Sequence, residues 1–463
     1  MPNRWYQNEI LRQALALWHS ERRRTLIQLP TGGGKTRIAV QLVDKVGFRR
    51  VLYVVPSVEI FSQTSAKLDD LKLPHTRLEA GDFPDLSRTR VTLAMTETLD
   101  RRLASGVFAN WKPDVIIVDE IHRRFDQIKR LLKKFPGAAV AGLSATPTRL
   151  DGKDLRELCP TMILGPSVCD LQSEGYLVPS RTVPDVIPDL TGVQVLRNEF
   201  DAAAVEDAYF ESGILSYVPQ AWLQHAKGRR TITFAPGVRA SKVLVEAYNR
   251  YGVRAVHIDG TTSDYLRDEA LERLREHDID VLSNVGLFVE GLDVVEVECI
   301  TSLRPSQSVA FHLQSLGRGL RLSPKTGKKD LLIIDHSGNT VRHGLVEAER
   351  DWTNGGMAKY QTLSRCRACG SAKATLKCPF CGWEDKERRG SKVWNARREK
   401  EKSLNTPPRP CPSWARAAQG FWLQVERQRA KDGLPLPRPE MGQEGYTESM
   451  VRRRLFGSTR GRL

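Results

Sequence analysis

The sequence predicts an α/β protein of two tandem parallel-sheet lobes, followed by a small four-cysteine ribbon and a basic tail. Three observations predict it. Short, nearly continuous apolar runs alternate with stretches of helical spacing through most of the chain, the pattern of parallel strands covered on both faces. At 463 residues the chain is too long for one ordinary core and long enough for two. Four of its eight cysteines stand as two close pairs beyond the last apolar run.

In order along the chain, residues 9–18 have helical apolar spacing, and residues 25–29 read as a strand entering a glycine loop. Residues 36–46 follow as a helix, 51–55 as a strand stopped by Pro56, and 115–118 and 139–143 as further short buried strands. Residues 1–165 are therefore the first lobe. After Pro179, Pro184 and Pro188 the pattern resumes, with strands expected at 231–234, 255–258, 280–283 and 331–334. Helices are expected at 240–251 and 264–276, with further candidates at 209–226 and 413–429. The second lobe is assigned to 166–345, the ribbon to 360–386 and the tail to 387–463. The tail is polar, basic and proline-containing, which predicts partial disorder.

A hydrophobic content of 40% and a charged content of 27% are those of a soluble globular protein. No apolar run approaches the roughly 20 residues that span a bilayer, and the first residues carry no apolar signal segment. The expectation is a cytoplasmic protein with no membrane partner. The net charge of +16 points to a polyanionic partner. Most of the excess is in the last 78 residues, with 19 Lys or Arg against 8 Asp or Glu. Trp383, Trp394, Trp414, Phe421 and Trp422 interleave with charge from the ribbon's end into the tail. They suit stacking on single-stranded nucleic acid, and equally a solvated linker with a few helix-packing aromatics.

The chemistry concentrates at strand ends. In Pro30-Thr31-Gly32-Gly33-Gly34-Lys35-Thr36 a strand gives way to glycines, and Lys-Thr opens a helix. Such a loop brings backbone N–H groups onto a phosphate at the positive end of a helix. Lys35 would neutralise the β- and γ-phosphates of ATP, and Thr36 would hold Mg²⁺. The generic phosphate-loop pattern asks for glycine where this chain has Leu29. Asp119 and Glu120 emerge directly from a buried strand; Asp119 would bind Mg²⁺ through water and Glu120 would orient the attacking water. Ser144-Ala145-Thr146-Pro147 follows another strand and, alone, is also compatible with a plain strand exit. Phosphoryl transfer needs positive charge opposite the γ-phosphate, and Gln314-Ser315-Leu316-Gly317-Arg318-Gly319-Leu320-Arg321 supplies an arginine pair.

Taken together, PTGGGKT, DEIH (Asp119 to His122) and SATP resemble motifs I, II and III of superfamily 2 helicases, and QSLGRGLR resembles motif VI. Tyr6-Gln7 resembles the Q motif, and residues 281–294 resemble motif V. The resemblance spans roughly residues 4–340 and implies two RecA-like lobes. It implies that Gln7 reads adenine and that Gly32, Gly33, Gly34, Lys35 and Thr36 cradle phosphate. It further implies that Gly291 and Asp293 lie near nucleotide and nucleic acid. Arg321 is implied as the arginine finger and Arg318 as its γ-phosphate-sensing partner. His122, Ser144, Thr146 and Gln314 would couple hydrolysis to movement. Ser57, Thr98 and Thr261 fall where the family contacts nucleic acid.

Cys366-x2-Cys369-x8-Cys378-x2-Cys381 has the spacing of a closed structural zinc site, although four thiols could also hold an iron–sulfur cluster or form disulfides. A zinc ribbon after the second lobe, with residues 303–308 and 334–339, resembles RadD-like bacterial and phage DNA repair helicases. The implied function is an ATP- and Mg²⁺-dependent translocase or helicase on single-stranded or forked DNA, working in repair, recombination or phage replication with protein partners of those processes. The other readings are the motor subunit of a restriction-type complex and a nonenzymatic nucleic-acid adaptor. The complete set Lys35, Asp119, Glu120 and Arg321 speaks against the adaptor.

Overall fold

The computed structural model describes residues 3–384, except 20–22, 46–49, 82–83, 104–107, 109, 149–154, 197, 288–293, 353–354, 359–362, 367, 374–377 and 379–380. The helix expected at 413–429, the basic tail, and Gly291 and Asp293 lie outside the described residues.

The first lobe contains α1 (Trp5–His19), β1 (Arg24–Gln28), α2 (Lys35–Lys45), β2 (Val51–Val55), α3 (Val58–Asp70), β3 (His75–Leu78), β4 (Val91–Met95), α4 (Thr96–Arg102), β5 (Val115–Val118), α5 (Phe125–Lys134), β6 (Ala139–Ser144) and β7 (Thr161–Leu164). Its seven strands form a parallel sheet in the order β3-β4-β2-β5-β6-β1-β7. Every residue of β2, β5 and β6 is buried, as expected of strands covered on both faces.

α6 (Val168–Ser173), held by a capping box between Ser167 and Asp170, leads across to the second lobe. That lobe runs through β8 (Ser180–Pro184), the short pair β9 (Val195–Leu196) and β10 (Glu199–Phe200), α7 (Ala202–Ser212), α8 (Ile214–His225), β11 (Thr231–Phe234), α9 (Val238–Arg250), β12 (Ala255–Ile258), α10 (Asp264–Arg275), β13 (Val281–Asn284), β14 (Cys299–Ser302), α11 (Val309–Gly319), β15 (Leu331–Asp335) and α12 (Asn339–His343). Its six-stranded parallel sheet has the order β12-β13-β11-β14-β15-β8. The single helix expected near 209–226 is two, because Gly213 adopts a left-handed φ of 70° and ends α7 where α8 begins.

One apolar core joins the lobes. Residues on one face of the first sheet pack continuously through Leu171, Leu177 and Val178 into Ile232, Ile300, Leu331 and Ile333 of the second. Beyond α12 come two small hairpins, β16 (Arg350–Asp351) with β17 (Met357–Ala358) and β18 (Ser364–Arg365) with β19 (Ala372–Lys373). The latter carries Cys366 and Cys369, the first two cysteines of the cluster, and is fastened to the edge strand of the second sheet. Arg181 on β8 donates to the Ser371 hydroxyl and to the Cys369 carbonyl, both at 2.8 Å.

α11 lies unusually close to its sheet at its last turn. A side-chain carbon on Gly319 would stand 2.5 Å from Leu331 Cδ1, 2.9 Å from Leu331 Cδ2 and 3.0 Å from Ile300 Cδ1. Gly319→Val is therefore expected to overpack two strands and cost about 1–3 kcal/mol. A lowered thermal melting midpoint of the full chain would register this, and an unchanged midpoint would contradict the close packing.

Candidate nucleotide site between the lobes

The loops that carry the sequence motifs gather at the carboxyl edge of the first sheet. The glycine loop follows β1, Ser57 follows β2, Thr96 follows β4, Asp119 follows β5, and Ser144 ends β6. Parallel sheets bind ligands at this edge because their βα loops open there. Gly32 and Gly34 have φ values of 84° and 87°, which only glycine adopts without strain. A side chain on Gly34 would also meet Gln7 Nε2 at 2.5 Å, so the loop passes directly under Gln7. Tyr6 donates to the Gly33 carbonyl at 2.8 Å and Arg4 to the Gly32 carbonyl at 3.4 Å, pinning the loop from α1 and the residue before it. Leu29, where the generic pattern has glycine, is fully buried, with its Cδ2 2.5 Å from where a Gly165 side chain would begin. It serves the core, and the three following glycines make the turn.

Lys35 opens α2, and its Nζ is 3.4 Å from Glu120 Oε1. Asp119 and Glu120 are 7% and 9% exposed, so two adjacent carboxylates are nearly removed from water. Burial, reinforced by the neighbouring Glu120 charge, raises the pKa of Asp119. Burial also penalises charge on Glu120, but Lys35, His122 and Arg318 outweigh it and hold that carboxyl below its ordinary range. Glu120 sits at φ 46°, a left-handed conformation a non-glycine residue adopts only when its surroundings impose it. The Asp119 carboxylate accepts the Glu120 N–H at 3.0 Å and supports that turn. Glu120 Oε2 is buried without a hydrogen-bond donor among the described residues.

His122 connects the carboxylates to the next loop. Its Nδ1 is 3.5 Å from Glu120 Oε2 and 2.9 Å from Ser144 Oγ, and the Ser144 hydroxyl in turn accepts the Thr146 N–H at 3.1 Å. Burial lowers the pKa of His122. Ser144 and Thr146 are completely buried.

The second lobe reaches the same place through α11. Arg318 lies close enough to act electrostatically on Glu120. A side chain on Gly32 would stand 3.5 Å from Arg321 Cγ and 2.8 Å from Leu177 Cδ2. One on Gly317 would stand 2.5 Å from Thr31 Cβ. The glycine loop and α11 thus meet across the cleft with no room for a further carbon. Gln314 is buried on the same helix.

Three expected nucleic-acid contacts are differently situated. The Ser57 hydroxyl caps α3 by accepting from Ile60 N at 3.4 Å. The Thr261 hydroxyl, exposed before α10, donates to Asp259 at 2.6 Å. Thr98 is only 6% exposed and faces inward from α4, leaving Glu97 and Arg101 as that helix's exposed residues. Arg4 and Tyr176 had no signal in the sequence; the Arg4 guanidinium stacks 4.5 Å from the Tyr176 ring centroid, beside Gln7 and joining α1 to the segment after α6.

At the ribbon, the four Sγ atoms lie within 4.8 Å of one another. Cys366 and Cys381 are 3.6 Å apart, and Cys369 and Cys378 3.7 Å. Cys366 with Cys369, and Cys378 with Cys381, ride on equivalent turns: Gly370 N donates to Cys366 O at 2.9 Å and Gly382 N to Cys378 O at 3.0 Å. Both glycines have positive φ, 74° and 70°.

Comparison with known proteins agrees with this arrangement. Residues 1–149 match the family described as the res subunit of type III restriction enzymes, and residues 214–323 match the helicase conserved C-terminal domain. A 51.5 kDa protein of Lactococcus phage (isolate 7-9) is 26% identical over 374 residues, covering 77% of each chain. The DNA 3'-5' translocase XPB2 of Sulfurisphaera tokodaii is 28% identical over 384 residues, covering 73% of this chain and 83% of that protein. Other curated relatives are longer, and the match spans 58%, 51% and 60% of three of them. The fold is similar to that of the type ISP restriction-modification enzyme LlaBIII, solved bound to DNA, with a TM-score of 0.55 and 18% identity over 72% of this chain and 28% of that one.

Because Gly317 abuts Thr31, Gly317→Ala should hold the lobes apart. ATP turnover is expected to fall by about ten-fold or more, the effect of misplacing an aligned group by about 1 Å, with little change in melting midpoint. Unimpaired turnover in Gly317→Ala would mean that this contact is not part of the active arrangement. Two helicase domains in tandem, their motifs in order at the edge of one cleft, and two parallel-sheet lobes closing on it make the chain a member of the superfamily 2 helicases.

Proposed function

We propose that the chain is an ATP-driven nucleic-acid motor whose hydrolytic site is assembled from both lobes. The observation that carries the reading is the convergence of Lys35, Asp119 and Glu120 from the first lobe with Arg318 and Arg321 from the second on one glycine loop. In this reading Gly32 to Gly34 and Lys35 hold the β- and γ-phosphates, and Gln7 reads the adenine. Glu120 accepts a proton from water as its oxygen attacks the γ-phosphorus and the bond to the β–γ bridging oxygen breaks. Arg321 offsets the charge on the departing ADP, and Arg318 senses the γ-phosphate. The donor set suits Mg²⁺: a threonine hydroxyl at a helix start and a buried carboxylate whose charge burial disfavours. Thr36 and Asp119 would hold that ion, which neutralises developing phosphate charge.

The proposed substrate is DNA. The fold neighbour solved on DNA and the relative named as a DNA translocase support this reading, as does the basic excess of the chain. The four cysteines are proposed to bind one Zn²⁺. Thiolates about 2.3 Å from a tetrahedral zinc stand roughly 3.8 Å apart, which matches the two close sulfur pairs.

Lys35→Ala and Glu120→Gln should abolish DNA-stimulated ATP hydrolysis. Arg321→Ala should lower the turnover rate by about 10³-fold or more while nucleotide affinity changes little. Equal losses in affinity and rate would remove Arg321 from the finger role, and normal turnover in the first two variants would refute the motor. Comparing single-stranded, duplex and forked DNA with RNA in the same assay tests the substrate. Metal analysis of the purified chain should find about one zinc equivalent, lost in Cys378→Ser. Iron, or no metal, would overturn the zinc assignment.

A further inference from the structure

The hairpin of β16 and β17 lies beyond the second sheet, yet it reaches the first lobe beside the loop that follows β6. A side-chain carbon on Gly356 would stand 2.5 Å from Trp352 Cζ3, 2.8 Å from Trp352 Cε3 and 3.4 Å from Thr148 Cγ2. The indole is therefore laid across Gly356, and the Thr148 methyl meets the same spot. Gly356 has φ 72°, and its N–H donates to Asp351 O at 2.9 Å, so the turn needs glycine twice over, for its conformation and for the space. Thr148 is 9% exposed, and its N–H donates to Thr146 O at 2.7 Å.

At its other end the hairpin is fixed to the second lobe. The buried Arg350 guanidinium donates to His343 O at 2.9 Å, Leu345 O at 2.9 Å and Gly356 O at 3.2 Å. His343 ends α12, and its ring lies 5.5 Å from that of His312 on α11, the helix that bears Gln314 and Arg318. A continuous set of contacts thus runs from Glu120 through His122, Ser144, Thr146 and Thr148 to Gly356 and Trp352. On the other side, contacts run through Arg350 and His343 to His312 on α11, the helix that also bears Arg318.

We propose that Trp352 is a positioning residue: by clasping Thr148 against Gly356 it holds the loop after β6 in step with the second lobe, so that closure on nucleotide is transmitted to nucleic acid. A hairpin rooted in one lobe and touching the loop after β6 of the other is a contact that lobe opening must break, and such a contact links the energetics of the two states. The inference rests on the motor reading above and adds to it a residue outside the helicase motifs.

The test is the steady-state ATPase of the full chain with and without single-stranded DNA, in wild type, Trp352→Ala, Trp352→Phe, Thr148→Ser and the Trp352→Ala/Thr148→Ser double variant, each with its melting midpoint. Trp352→Ala should keep basal turnover and the KM for ATP within about two-fold but lose about five-fold or more of the DNA stimulation, the low end of coupling between linked sites. Trp352→Phe should recover most of it. Thr148→Ser, which removes only the methyl group, should show a smaller loss that does not add to that of Trp352→Ala, because both act through one contact. Should Trp352→Ala fail to fold, Thr148→Ser and Trp352→Phe carry the test. Undiminished stimulation in the variants overturns the clasp, as does a parallel fall of basal and stimulated rates. A wild-type rate indifferent to DNA overturns the motor reading itself, and the clasp with it.

Discussion

Two carboxylates buried side by side at the end of β5 set the terms for the rest of the molecule. Asp119 and Glu120 are nearly excluded from water, and an unpaired buried charge is among the costliest features a protein can hold. Lys35 answers part of that charge from the start of α2 at 3.4 Å. Another part comes from Arg318, on the other lobe. Most of the answering charge is within the first lobe, from Lys35 and His122, and Arg318 adds to it from the second.

Such proximity demands small residues at the seam. Gly32 leaves room for Leu177 and Arg321, and Gly317 leaves room for Thr31, so each lobe contributes a glycine to the face of the other. Gly319, two residues on, makes the corresponding close approach within its own lobe, letting α11 sink between Leu331 and Ile300. The hairpin at Gly356 repeats the device at a third point of contact between the lobes. The apolar core that joins the lobes is thus completed at positions where a side-chain carbon is missing.

Much of the fold was legible because parallel strands buried on both faces are continuous apolar runs. β2, β5, β11 and β12 occupy the residues their apolar runs predict, and β1, β6, β13 and β15 differ by a residue or so at their ends. β4 and β14 escaped because Thr92, Thr301 and Ser302 interrupt their runs, and in the folded lobes these polar side chains are buried with the rest. β8 was hidden by the prolines around it, which an edge strand tolerates. Thr98 shows the opposite limit: its position after β4 matched an expected contact, yet the helix turns its side chain inward.

The sequence by itself determined the two-lobe α/β plan, the phosphate loop, the acid pair, the arginine pair and the cysteine cluster. Each is a local signal, a few residues whose chemistry is readable from type and spacing. Only the tertiary structure decided that Arg318 lies near enough to act on Glu120, that Arg321 stands beside Gly32, that Arg181 fastens the ribbon to an edge strand, and that Gly356, with Trp352 laid across it, faces Thr148. These pairs lie roughly 190 residues or more apart in the chain. Their meeting depends on how two cores pack against each other, and no periodicity or spacing along a single chain encodes that distance.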